Sequence, residues 1–413
     1  MSPDASGRCP GLYVHIPFCA RKCHYCDFNS WPDGTLPEGA ESVYFGRLRR
    51  EAGLLVPPVL DSAAGAGGFQ TLYLGGGTPS AVEPLLIGEL LDTLGRWIDI
   101  SGLREVTLEA NPESLTREKL ARYRGMGIGR VSLGVQTFQP DVLKTLGRVH
   151  DVPRAETALE LLAGSGLESW SLDLMYGLPG QTVEGFAAGL RRALAYRPLH
   201  VSMYGLTVET GTEFGRLQKE GKLGVPDSDF QADCFEAARE LLAAAGYRHY
   251  EISNFALPGH EAVHNSLYWR RVPYLALGAG AHGFWPGEGH SPDLRWSVPR
   301  PFERHGKYVE GVAGTGELAS LLAPVRGICP EWREVDRSEA FEEAVFLGLR
   351  LLDEGISLEE LSHEFGTEKT VGLLPRLERA AGRGEVELRI GRWRLTPRSV
   401  LLANRVIAGL LAD

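Results

Sequence analysis

The chain has 413 residues, 43% hydrophobic and 23% charged, an ordinary make-up for a globular protein and enough for one large domain and a smaller one. Forty-three basic against 53 acidic residues give a formal charge of −10, which argues against a protein that holds nucleic acid by broad phosphate neutralisation and leaves room only for a local basic pocket. No uncharged apolar run reaches the roughly 18 residues of a membrane span, and the opening MSPDASGRCPG lacks the basic and apolar blocks of a signal peptide, so the expectation is a cytoplasmic chain that is not itself transmembrane.

The first strand candidate is LYVHIPF (12–18), rich in β-branched and aromatic residues. It runs straight into Cys19-Ala20-Arg21-Lys22-Cys23-His24-Tyr25-Cys26, three of the chain's six cysteines in one loop. In a reducing compartment, with uneven spacing elsewhere, this is not a disulfide framework. Three soft thiolates suit zinc or an iron–sulfur cluster. Structural zinc normally takes four ligands in two separated pairs, and no second CxxC occurs, although His15 or His24 would serve as a fourth ligand. On a [4Fe–4S] cluster, three cysteines leave one iron open for chemistry. Both metals stay open at this level. Cys9, Cys234 and Cys329 stand alone and read as small buried side chains.

A helical period follows over 41–55, then the strand FQTLYLGG (69–76), which ends in GGGTP (75–79). The glycines match neither the dinucleotide fingerprint nor the phosphate loop that ends in Gly-Lys-Ser/Thr. Two readings compete: a plain turn, or a place where a ligand lies against backbone N–H and C=O groups. The alternation continues with a helix over 83–98, EVTLEAN (105–111), a helix over 117–127, RVSLGVQT (130–137), a helix over 152–166, SWSLDLMYG (169–177), a helix over 184–196, HVSMYGLT (200–207) and a closing helix over 228–247. Alternating strands and helices predict parallel strands joined by right-handed crossovers, an α/β sheet or barrel of six units, short of a closed eight-fold barrel. Such folds bind ligands at the carboxyl ends of the strands, where the cysteines, GGGTP, Asn111, Gln136, Asp173 and Tyr204 all fall.

The expected boundary lies at 246, with a core over 1–246 and a second, smaller, mainly helical domain over 247–413. From about 250 to 335 the chain reads as irregular and rich in Trp, Pro, Gly and His. The last part reads as helix, helix, hairpin and closing helix. That order is also the order of a winged-helix DNA binder, but the acidic helices favour a cover packed on the barrel.

YVHIPFC, CxxxCxxC, GGGTP, LEANP, GVQT and DLMYGLP together, in this order, resemble the radical S-adenosylmethionine (SAM) enzymes. More narrowly they are similar to the branch that holds oxygen-independent coproporphyrinogen III oxidase and the haem chaperone HemW family, and the likeness runs over nearly the whole chain. The resemblance implies a partial (β/α)6 radical SAM barrel whose Cys19, Cys23 and Cys26 hold a [4Fe–4S] cluster. It implies SAM on the fourth iron, reductive cleavage to a 5′-deoxyadenosyl radical, and SAM contacts at Tyr13, Gly75, Gly76, Gly77, Thr78, Glu109, Gln136, Arg148 and Asp173. For Glu109 and Asp173, ion pairing at the barrel mouth is the competing role.

In that branch the oxidase carries a further cysteine two residues after the third cluster ligand, and a longer N-terminal arm. Here the position is Phe28, and 18 residues precede Cys19. Both departures resemble the chaperone side of the branch. HNSLYW (264–269) is similar to that side's HNxxYW motif, which implies haem as ligand, with His264, Tyr268 and Trp269 in contact near the barrel mouth; a packed core anchor is the competing role. The implied function is a chaperone that passes haem to haem-accepting proteins, membrane respiratory enzymes among them. The alternative is a radical SAM dehydrogenase or decarboxylase of coproporphyrinogen III, and a third reading is a zinc-stabilised binding module.

Overall fold

A computed structural model of the chain describes residues 9–62, 67–224, 226–287, 291–312 and 318–412. The six expected strands form and lie side by side in chain order, all parallel: β1 (Gly11–Ile16), β2 (Thr71–Gly76), β3 (Glu105–Ala110), β4 (Arg130–Gln136), β5 (Ser169–Tyr176) and β6 (His200–Gly205). Helices cross over between them: α1 (Ala40–Asp61), α2 (Pro84–Leu94), α3 (Arg117–Gly125), α4 (Pro140–Leu146), α5 (Val152–Ala163) and α6 (Val183–Leu194). With helices outside and side chains filling the inside, both faces of a strand are covered, and in β4 every residue but Gln136 is buried. Helices α3, α5 and α6 start on Thr116, Asp151 and Thr182, whose side chains accept the N–H of Lys119, Arg154 and Gly185 and so satisfy donors the first turn leaves unpaired. Helices α7 (Glu213–Lys219) and α8 (Ser228–Ala244) follow β6.

Past residue 247 the structure departs from the expected irregular stretch. Strands β7 (Arg248–Glu251) and β8 (Asn254–Ala256) turn back antiparallel on β6; helix α9 (Val263–Trp269) follows; and β9 (Tyr274–Leu277) lies parallel to β1 on its other side. Strands β10 (His282–Trp285) and β11 (Asp293–Ser297) continue that edge antiparallel, and β12 (Arg333–Val335) closes it beyond helices α10 (Phe302–Gly311) and α11 (Leu318–Leu322). The result is one open sheet in the order β12-β11-β10-β9-β1-β2-β3-β4-β5-β6-β8-β7. These added strands are three to five residues long, too short to carry a readable period. They form because the two open edges of the parallel sheet hold rows of unpaired N–H and C=O groups that a neighbouring strand satisfies.

The C-terminal part holds α12 (Arg337–Gly348), α13 (Leu358–Phe365), α14 (Thr367–Gly382), the hairpin β13 (Val386–Arg389) and β14 (Arg392–Leu395), and α15 (Ala403–Leu411), one helix more than expected. Two large apolar cores result. One runs from Leu12 to Cys329 and fills the sheet and its helices; the other gathers Val335 to Leu410. Among the described residues no helix is long and apolar enough to cross a membrane.

Candidate functional site

The loop after β1 is held open by backbone bonds. Phe18–Cys19 pairs with Trp31–Pro32 as a short ribbon, His24 N–H donates to Leu146 O (3.0 Å), and Phe214 N–H donates to His24 O (2.8 Å). The thiols of Cys19, Cys23 and Cys26 are free and half-buried. Cys19 Sγ lies 3.2 Å from Thr78 Oγ1, and Arg148 Nη1 donates to Cys23 Sγ at 3.5 Å. The same guanidinium donates through Nη2 to Asn111 Oδ1 and Gly134 O, both at 2.7 Å, and Asn111 Nδ2 donates to Thr78 Oγ1 at 2.9 Å. One hydrogen-bonded chain therefore joins two of the three cysteines to the ends of β2, β3 and β4. Burial, with repulsion from Cys23, holds the Cys19 and Cys26 thiols above their ordinary range. Among the described residues no three His, Cys, Asp or Glu side chains converge closely enough for a single metal ion. A spaced set of three soft ligands beside a guanidinium suits a polynuclear iron–sulfur group, whose corners lie apart, better than a zinc cage. Of the histidines weighed as a fourth zinc ligand, His15 has both ring nitrogens engaged, Nδ1 with Tyr13 OH and Nε2 with Asn29 O, and His24 is turned so that its Nδ1 bonds Thr145 O.

GGGTP is laced to this loop. Gly77 N–H donates to Ile16 O (2.9 Å), Thr78 N–H to Phe18 O (2.7 Å) and Gly76 N–H to Glu109 Oε2 (2.9 Å). Three of the N–H groups expected for a ligand are thus spent internally. A Cβ on Gly75, Gly76 or Gly77 would come within 2.7 Å of the Tyr73 ring, 2.6 Å of the His15 ring or 2.6 Å of the Pro17 and Phe18 carbonyl oxygens. Absence of side chains here lets two strand-end loops touch.

Inside the barrel, Glu109 takes Tyr73 OH on Oε1 at 2.7 Å as well as Gly76 N–H on Oε2. Burial, aided by Asp173, holds its carboxyl above the usual carboxylate range against those bonds. Asp173 takes Ser132 Oγ (2.9 and 3.1 Å) and Ser171 Oγ (3.3 Å), and burial likewise raises it. Neither carboxylate forms an ion pair among the described residues: a hydroxyl and a backbone N–H hold Glu109, and serine hydroxyls hold Asp173. Tyr13 stacks on Tyr73 with ring centres 5.9 Å apart. Gln136 sits at a register shift in β4 with φ 68°, a left-handed setting that costs a glutamine about 1–3 kcal/mol and marks a position under constraint.

His264 lies at the other end of the strands. Its Nδ1 bonds Thr71 Oγ1 (2.7 Å), on the first residue of β2, and its Nε2 bonds Tyr268 OH (2.8 Å). Its ring stacks on Tyr73, with centres 5.1 Å apart. Glu105, the first residue of β3, accepts the N–H groups of Val263 and His264 at 2.9 and 3.0 Å and pins the start of α9 to the floor of the barrel. With 1% of its surface exposed, His264 is pushed by burial down to a pKa of about 3. The expectation of a contact near the barrel mouth is thereby corrected: α9 plugs the floor. Trp269 packs under the Arg350 guanidinium, 5.5 Å from its ring centre.

The structure brings together at the mouth Cys19, Cys23, Gly75 to Thr78, Glu109, Arg148 and, on the adjoining β4 bulge, Gln136; Tyr13 and Asp173 line the interior just below. Asn111 is the connecting residue that sequence reasoning placed at a strand end but gave no role. LEANP, which resembles a family motif, was the available signal.

A model of the radical SAM superfamily matches residues 13–193, and one of the HemN C-terminal domain matches residues 335–402. The chain is 35% identical to the Heme chaperone HemW of Bacillus subtilis strain 168, over 97% of this chain and 99% of that one, and 33% identical to the Heme chaperone HemW of Escherichia coli strain K12, over 97% and 98%. It is 36% identical to the mouse protein named Radical S-adenosyl methionine domain-containing protein 1, mitochondrial, over 73% of this chain and 67% of that one. Among solved structures, coproporphyrinogen III oxidase (HemN) from Escherichia coli superposes with a TM-score of 0.77 at 22% identity, over 98% of this chain and 92% of that one, a likeness of fold.

Proposed function

The chain belongs to the haem chaperone HemW family of radical SAM proteins, and from that premise we propose that it binds haem and hands it to haem-requiring proteins, respiratory ones among them. In this reading Cys19, Cys23 and Cys26 hold one [4Fe–4S] cluster, while Tyr13, Gly75, Gly76, Gly77, Thr78, Glu109, Gln136, Arg148 and Asp173 receive SAM. Bound there, cluster and SAM supply one-electron reductive chemistry, and the protein supplies position and shelter. Arg148 sets a fixed positive charge 3.5 Å from Cys23 Sγ and, through Asn111, keeps that charge in register with Thr78 and Cys19. Glu109 at the mouth and Asp173 just below it keep acceptors there, because a hydroxyl and a backbone N–H at Glu109 and serine hydroxyls at Asp173 hold them without an opposing charge.

The observation that carries the chaperone reading is 35% identity to a Heme chaperone HemW across almost the full length of both chains, joined to Phe28 where the oxidase has its further cysteine. Anaerobically reconstituted protein is expected to bind haem with a shifted Soret band, and to give no protoporphyrinogen when incubated with coproporphyrinogen III and SAM. Product formation in that incubation would overturn the reading in favour of the oxidase. Replacing Cys19, Cys23 or Cys26 by Ala is expected to abolish cluster absorbance, whereas Cys9→Ala, Cys234→Ala and Cys329→Ala keep it. His264 is assigned to packing within this function, because both of its ring nitrogens already carry hydrogen bonds and iron would have to displace one.

A further inference from the structure

A second histidine meets the requirements that His264 does not. His282, the first residue of β10, borders a cleft of about 320 Å³ together with Gly280, Val298, Arg300, Arg304 and Glu331. Its Nδ1 lies 3.1 Å from Glu331 Oε2. A carboxylate only accepts, so Nδ1 carries the proton and Nε2 keeps its lone pair; among the described residues Nε2 has no hydrogen-bond partner. The side chain is 49% exposed, which leaves that lone pair accessible. This is the arrangement in which a carboxylate orients an imidazole for a metal and raises its basicity. Burial lowers the His282 pKa, Glu331 pulls it up and Arg300 pushes it down; the balance lies below the ordinary value, so the ring is neutral near pH 7.

Two guanidiniums complete the cleft. Arg300 and Arg304 are exposed on either side of Pro301, where α10 begins, and neither forms an ion pair with any described residue. The acidic lining residue, Glu331, is taken by His282. Two guanidiniums free of an ion pair in one cleft lining suit a ligand with two carboxylates. Asn29 Nδ2 donates to Ala279 O (2.8 Å) and Arg300 O (3.2 Å), tying the end of the cysteine loop to the cleft, and the preceding residue, Phe28, is 69% exposed. A neutral imidazole with a free Nε2, two unpaired guanidiniums and an exposed aromatic ring are the groups that an iron-bearing, flat, apolar dicarboxylate needs.

We infer that this cleft is where haem is loaded, with His282 Nε2 as axial ligand to the iron and Arg300 and Arg304 on the two propionates. The inference rests on the chaperone reading and names its cargo site. A cleft of this size takes one face and the propionate edge of the macrocycle and leaves the rest at the surface, as a cargo that must be released requires. It also puts haem near the end of the cysteine loop, since Asn29 bonds the carbonyl of Arg300 in the cleft wall.

The test uses two probes on cluster-reconstituted protein: haem, which reports on iron and propionates, and metal-free protoporphyrin IX, which reports on the propionates alone. His282→Ala is expected to weaken haem binding at least tenfold and to shift the Soret band while leaving protoporphyrin IX binding within about twofold. Arg300→Gln with Arg304→Gln is expected to weaken both probes, by roughly a hundredfold for two charge-assisted contacts. Cluster absorbance and the circular dichroism spectrum stay unchanged in both variants, which excludes unfolding. If wild-type protein binds haem but His282→Ala keeps its affinity and Soret band, the cleft is wrong and the chaperone reading stands. If wild-type protein binds no haem, both fall.

Discussion

His264 and His282 lie 18 positions apart and occupy opposite situations. The first sits in the barrel floor, 1% exposed, with a hydroxyl on each ring nitrogen and an aromatic face on Tyr73. The second sits on an edge strand, half exposed, with one nitrogen oriented by a carboxylate and the other free. The floor is finished around His264: Glu105, Thr71, Tyr73, Tyr268 and Tyr13 fill it, and both nitrogens of its ring have a partner. The cleft is unfinished, with an open lone pair and two uncompensated cations. A motif that resembles a ligand site can thus be an anchor, while an unremarked histidine has the free valence. Partner count and exposure, rather than residue type, separate the two.

Four outcomes would break or sharpen that contrast. The largest effect belongs to the interior. Gly76→Ala puts a Cβ 2.6 Å from the His15 ring at φ 121°, and is expected to destabilise by roughly 4 kcal/mol and to cost the cysteine loop its packing. Chemical denaturation measures it, and a loss under about 1 kcal/mol would show that the two loops are not interlocked. His264→Ala comes next: it strands the Thr71 and Tyr268 hydroxyls and opens a cavity, for about 3 kcal/mol. A neutral result there, with haem affinity lost, would exchange the roles of the two histidines.

The third outcome is pH dependence. His264 is held at a pKa of about 3 in the fold and titrates near 6.5 when unfolded, so below pH 6.5 the unfolded chain binds a proton that the folded chain refuses. The His264 contribution is therefore complete above about pH 7 and falls as pH drops from 6.5 towards 3. His15 and His249, each pushed by burial down to about 4, act in the same sense. From His264 alone the loss between pH 7 and pH 5 is about 2 kcal/mol. Glu251, raised by burial to about 7, acts in the opposite sense, so the check compares the pH 7 to pH 5 change in unfolding free energy of the wild type with that of His264→Gln, and an equal change in both would contradict the closed floor. The smallest effect is His282→Ala on stability, expected within about 0.5 kcal/mol because the residue is half exposed and its hydrogen bond to Glu331 lies at the surface. A drop of 2 kcal/mol or more would make His282 structural and close the cleft as a cargo site.

Much of the core is legible without coordinates. Leu12, Val14 and Ile16 alternate with Tyr13 and His15, and each of the six core strands ends where a Gly, Pro, Asn or Gln interrupts it, so β1 to β6 and the loops at their carboxyl ends follow from local pattern. Strands β9 to β11 do not, because four or five residues such as YLAL carry no period, and they become strands only when the exposed edge of β1 offers hydrogen bonds. Asn111 illustrates the same limit within the site: its position is local, but its bridge from Thr78 to Arg148 exists only once β2, β3 and β4 are adjacent.

By itself, then, the sequence determined the alternating strands and helices, the three-cysteine loop and the resemblance that those motifs carry, because each depends on neighbours within a few positions. Only the tertiary structure decided which end of the barrel HNSLYW faces, that the glycines of GGGTP serve loop-to-loop contact, and that His282 rather than His264 keeps a free nitrogen. Those outcomes depend on burial and on hydrogen-bond partners as far as 193 residues away in the chain, as Thr71 is from His264, and such distances leave no trace in local spacing.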